Sequence, residues 1–151
     1  KDDIFQTLII DKHPYAQIVP LVEKAPGDTA EEFIRNAVNL VIENLGHRPD
    51  FIKLMFIEIV EFNGKHFSAM LNVILPRVLP VLMRMQALEH GVRKIPPLLF
   101  ARAFFAMIMS YYMTEMLMSD ATPPEMRDNA LNGFVEIFLH GVIEPVMLVD
   151  S

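Results

Sequence analysis

Cysteine is absent from all 151 residues, which excludes disulfides and thiolate metal sites. A basic cluster is missing too. The 13 Lys and Arg are outnumbered by 19 Asp and Glu, giving a net charge of -6. Because these cations stand singly apart from Arg93-Lys94, the chain offers no grip of its own on a phosphate backbone. No apolar run free of charge and proline reaches the roughly 18 to 20 residues that a bilayer crossing needs; the longest uncharged run lies between Arg102 and Glu115. Strand-like alternation between hairpin turns is not found. Neither is a GxSxG elbow, a Walker loop, GxGxxG, HExxH or the Glu-x-x-His pairs of di-iron bundles. These absences set the expectations: no enzyme, no cofactor, no metal, no membrane partner and, without a signal peptide, a cytoplasmic location.

What is present is grease. Hydrophobic residues make up 52% of the chain against 21% charged, with a mean hydropathy of +0.32. At the size of one ordinary domain, such a chain carries more apolar surface than a minimal core requires. A cavity, a dimer interface or both would account for the excess.

Helical periodicity runs throughout and predicts six helices. Ile4, Phe5, Leu8 and Ile9 share one face of a first segment, which Pro14 and Pro20 break after about Lys12. Thr29-Ala30-Glu31-Glu32 is a capping box opening a second helix, ended by Gly46 and Pro49. Asp50 is expected to cap the third, from Phe51 to Phe62, which is apolar on nearly every side and should be surrounded. After Asn63-Gly64, a long helix is drawn from Lys65 to about His90, interrupted by Pro76 and Pro80. These prolines free the carbonyls of Asn72 and Pro76 as possible acceptors, with a water-filled kink as the plainer reading. Pro96-Pro97 opens the fifth, running to about Ser119, and Thr122-Pro123-Pro124-Glu125 is a second capping box opening the sixth, which ends near Ile143.

The sixth helix has two surfaces to bury. Met126, Ala130, Phe134, Ile137 and Gly141 lie on one flank and Leu131, Val135, Phe138 and Val142 on the other, with a polar stripe from Glu125 to His140 between them. One flank serves the chain's own core; the other suits a twofold-related copy. Since the preceding helix is also apolar all round, a four-helix dimer interface is expected, with Met126, Ala130, Phe134, Ile137, Phe138 and Gly141 in it. Glu43/His47 and Glu136/His140 are each four apart but have no third ligand nearby in sequence, so they read as surface pairs.

In order along the chain, Lys1-Asp2-Asp3-Ile4-Phe5, Phe56-Ile57-Glu58-Ile59-Val60-Glu61-Phe62, Leu79-Pro80, Gly91-Val92-Arg93 before Pro96-Pro97, and Phe134-Val135-Glu136-Ile137-Phe138-Leu139-His140-Gly141 resemble patterns of the TetR family of bacterial transcriptional regulators. The resemblance covers that family's helices four to nine, its regulatory domain, and implies an all-α fold with the last two helices forming the dimer bundle. It implies that residues 1–13 begin the helix leading from a DNA-binding head not included here, and that 14–151 bind an effector and dimerise. Pro14 departs from the family's usually continuous fourth helix, and the paired Pro76 and Pro80 are a second departure.

The implied function is that of a regulator, by expectation a repressor. A small apolar ligand would change operator binding by the absent helix-turn-helix, and Lys1 would touch DNA phosphate. An effector cavity would draw on the Phe- and Met-rich central helices, whose plainer reading is core filling. Met55, Glu58, Ile59, Phe62, His66 and Met70 are its expected lining from the third and fourth helices, and Phe104, Ile108, Tyr111 and Tyr112 from the fifth. A helical carrier of lipids or hydrophobic metabolites, without DNA function, is the alternative. An unrecognised helical enzyme using Glu58, Glu61 and His66 is a more distant one.

Overall fold

The computed structural model describes residues 2–12, 15–46, 49–88, 92–118 and 121–143. Among these the chain is all-α: eight helices, no strand, and one isolated antiparallel bridge between Val92 and Ile143. The helices are α1 (Asp2–Lys12), α2 (Tyr15–Glu23), α3 (Ala30–Gly46), α4 (Pro49–Phe62), α5 (Phe67–Gln86), α6 (Pro97–Leu117), α7 (Pro124–Arg127) and α8 (Ala130–Val142). They belong to two compact units. The first comprises Lys1–Ala25 with Asn39–Val81, the second Pro26–Val38 with Leu82–Ser151, so one boundary falls between α2 and α3 and two fall inside helices, α3 and α5.

The capping box at α3 forms as its spacing requires. Glu32 N donates to Thr29 Oγ1 at 3.2 Å, while Glu32 Oε2 accepts from Thr29 N at 3.4 Å and Asp28 N at 3.0 Å. Gly27 precedes it at φ 151°, where a Cβ would stand 2.5 Å from the backbone N of Phe33. Only glycine lets the chain pass that close. The helix then buries Phe33, Ile34, Ala37 and Val38 in the second unit and Val41 and Leu45 in the first.

Several boundaries differ from expectation. α4 starts at Pro49, whose ring suits a first helical position, so Asp50 sits exposed inside the first turn rather than capping it. The helix ends at Asn63 (φ 53°) and Gly64 (φ 73°), with Gly64 N donating to Glu58 O at 3.0 Å in a six-residue closure. Asn63 to His66 therefore form a turn, and α5 begins at Phe67, not Lys65. It runs through Pro76 and Pro80 to Gln86, short of the expected His90, which lies outside the described residues with Gly91 and Pro14. By length and composition α5 could cross a membrane, although it carries Arg77 and Arg84.

The expected last helix is two. Asn129 takes a left-handed φ of 57° and separates the short α7 from α8, its side chain accepting from Asn132 Nδ2 at 2.6 Å. Asparagine tolerates that conformation because its short side chain bonds locally. The second capping box is also replaced: the N-cap of α7 is Pro123, which makes no side-chain capping bond.

In the second unit α6 and α8 pack antiparallel. Phe100 and Phe104 meet Phe138 at ring distances of 5.4 and 5.9 Å, and Tyr111 meets Phe134 at 6.0 Å. Arg35 joins α3 to α8 through Glu136 at 2.6 Å, and Arg93 closes the end of α8, donating from its backbone N to Val142 O at 2.7 Å and from Nη1 to Gly141 O at 3.0 Å. Cationic groups belong at a helix C-terminus, where the carbonyls are unpaired.

Replacing Thr29 with Ala removes the Oγ1 acceptor for Glu32 N, and the expected loss of stability is about 1 kcal/mol. Urea unfolding with an unchanged slope and a lower midpoint would register it; an unchanged midpoint would contradict this account of the helix start.

Candidate functional site

Of the two glutamates on α4 three residues apart, only one is inside. Glu58 is 2% exposed and Glu61 is exposed, because α4 turns the Ile52, Met55 and Glu58 face into the first unit and leaves Phe56, Ile57, Ile59 and Val60 outside. The expectation that α4 is surrounded thus fails for this chain. A buried carboxylate without donors is costly, and the turn after α4 supplies them. Glu58 Oε1 accepts from His66 N at 2.6 Å, and Oε2 lies 2.9 Å from His66 Nδ1. His66 itself is 3% exposed. One residue thereby answers both oxygens, and it does so because the Asn63-Gly64 turn folds position 66 back onto position 58.

Aromatic rings enclose the imidazole. Phe62 meets it edge-on at 5.0 Å and Phe5 of α1 at 5.8 Å, while Phe5 and Phe62 stack at 4.2 Å with planes 21° apart. A carboxylate that orients an imidazole is also how a general base is held. With both partners nearly shut off from solvent, this pair instead fastens α1 to the α4–α5 turn. On the outer side of the same rings lies an open groove of ≈ 410 Å³, lined by Ile4, Phe5, Leu8, Ile57, Glu61 and Phe62.

The residues expected to line a cavity divide between the units. In the first, Met55, Glu58, His66 and Met70 are buried and Phe62 is half-buried, but Ile59 is 59% exposed and stands on the surface. Glu58, Phe62 and His66 come together. In the second, Ile108 is buried and Phe104, Tyr111 and Tyr112 are half-buried on α6, where Phe104 stacks with Phe100 and Tyr111 meets Tyr112 at 5.7 Å. Burial, and secondarily Tyr111, pushes the Tyr112 hydroxyl up to about 12; burial and the charge of Glu115 raise Tyr111. Both rings therefore stay neutral donors through the physiological range. A second depression of ≈ 530 Å³ lies beside Arg93, Lys94, Leu99 and Val142.

Lys1, the expected phosphate contact, lies outside the described residues. No group of three or more His, Asp or Glu suited to a metal occurs among the described residues. Sequence reasoning set Glu58 and His66 together in one lining and, with Glu61, in an alternative active site, but not as a hydrogen-bonded pair, and it gave Phe5 no part in the site; the available signal was the Asn-Gly turn, which returns position 66 toward position 58. Comparisons of the chain with protein-family models, with curated proteins and with solved structures gave no match.

Glu58→Ala should strand the His66 N–H in the interior and cost about 2 kcal/mol, whereas Glu58→Gln, which keeps an acceptor for that N–H, should cost under about 1 kcal/mol. Thermal and urea unfolding of the two variants tests the order. Equal losses would mean that the hydrogen bonds contribute little beyond side-chain volume.

Proposed function

We propose that this chain is the effector-binding and dimerisation domain of a TetR-like transcriptional regulator, which pairs with a second copy and acts on operator DNA through a head outside this sequence. The ordered run of family-like segments from Lys1 to Gly141 supports the reading. One structural observation carries it furthest: the helix pair that the reading assigns to dimerisation leaves a wide apolar surface unburied.

On α6 only Phe100 and Ile108 are buried, while Leu98, Leu99, Phe105, Met113, Met116 and Leu117 are exposed, Leu117 at 82%. The chain by itself thus leaves open a helix whose all-round apolar composition calls for cover on several sides. On α8 the Val135, Leu139 and Val142 side faces inward, and Ile137, at 77% exposure, lies between exposed Gly133 and Gly141. Of the expected dimer residues, Met126, Ile137 and Gly141 are exposed and Ala130, Phe134 and Phe138 are half-buried, Phe138 through its contacts with α6. Exposed apolar surface of this extent on neighbouring helices is what an obligate four-helix interface uses.

In this reading a small hydrophobic effector acts by shifting the balance between two arrangements of the paired chains, as any ligand with different affinities for two states must. No catalytic step is assigned. The chain should run in light scattering at about twice its 17.3 kDa, and Ile137→Asp, at an exposed site harmless to folding, should return it to the single-chain mass. A monomeric wild type at micromolar concentration would reject the dimer and favour the carrier.

A further inference from the structure

The geometry points to a binding site for a lipophilic organic cation in the groove between α1 and α4. The proposal stands apart from the regulator reading, because it needs neither the DNA-binding head nor the dimer.

Three observations converge on it. The floor is apolar and aromatic: Ile4, Leu8 and Ile57 surround the stacked, half-exposed rings of Phe5 and Phe62. The volume of ≈ 410 Å³ falls in the range of small-molecule sites. The charge is of one sign, since Glu61 is the groove's one ionisable lining residue and makes no hydrogen bond or ion pair among the described residues.

The neighbouring carboxylate does not compete with Glu61 for a ligand. Glu58 has spent both oxygens on His66, and its ring partner fixes Phe62 and, through it, Phe5. The ring pair is thus held in place before any ligand arrives, which lowers the ordering cost of binding. Aromatic faces attract cations through their quadrupole, and a carboxylate at the rim adds a direct charge. A neutral apolar guest would use the rings and leave Glu61 idle. An anion would meet Glu61 and a chain of net charge -6. A cation with aromatic or alkyl substituents uses every lining residue.

Tetraphenylphosphonium and tetraphenylborate have the same shape and opposite charge, so the pair isolates the electrostatic part. By calorimetric titration of the whole chain, phosphonium should bind one per chain, with borate at least about tenfold weaker. Glu61→Gln should weaken phosphonium binding by about fivefold and flatten its salt dependence, and Phe5→Leu, which keeps apolar volume but removes a ring face, by about threefold. Circular dichroism melts matching the wild type establish that both variants fold. Equal affinity for the two ions, or phosphonium binding unchanged in Glu61→Gln, overturns the proposal. So does a groove covered by a second copy, seen as a wild-type dimer that Ile57→Asp converts to monomer while phosphonium fails to bind. Dimerisation lost through Ile137→Asp with phosphonium binding intact would leave this site standing on its own.

Discussion

Burying a carboxylate obliges the fold to deliver donors to it, and Glu58 is where that obligation shapes this chain. The donors come from a single residue eight positions later, which can reach back only because Asn63 and Gly64 adopt left-handed backbone angles. With His66 so held, its ring becomes the surface against which Phe62 and Phe5 pack, and α1 is fastened to the α4–α5 turn. The groove outside those rings is floored by the two rings that this pair supports. Under the regulator reading, α1 is the helix leading to the DNA head, which makes this aromatic and hydrogen-bonded fastening the local structure any signal along α1 must pass.

The other organising fact is surplus apolar surface. Both α4 and α6 are greasy on nearly all sides, and helices of that kind are ordinarily enclosed. Here each buries one face and leaves the rest outside, at Ile59 and Val60 on α4 and at Met116 and Leu117 on α6. A chain of this length has too little other protein to cover them, whatever the packing. The two exposed surfaces differ in kind. That on α6 and α8 is broad and almost uncharged, which suits a second copy; that between α1 and α4 is a groove with a carboxylate at its rim, which suits a small ligand.

Much of the helical layout was legible because its signals are local. The Thr29 capping box, the Gly46 and Asn63-Gly64 stops and the proline openings each act within one turn of chain, and α1, α3, α4 and α6 appear close to where those residues place them. The misses have equally local causes. Pro49 outcompetes Asp50 for the start of α4, and Asn129 breaks what its apolar neighbours would otherwise continue, giving α7 and α8 in place of one helix. For the candidate site, residue type pointed to Glu58, Phe62 and His66, while Ile59 was misplaced because an all-round apolar helix carries no periodicity to say which side faces in.

The amino-acid sequence by itself determined an all-helical chain, the lack of thiol chemistry, its acidity and an excess of apolar residues over what one small core can take. Those properties follow from composition and from contacts within a few residues. Which face of α4 turns inward, which of two equivalent glutamates is buried, and that Phe5 stacks on Phe62 were decided only by tertiary structure. Such choices depend on pairings between segments tens of residues apart, and no local pattern encodes them.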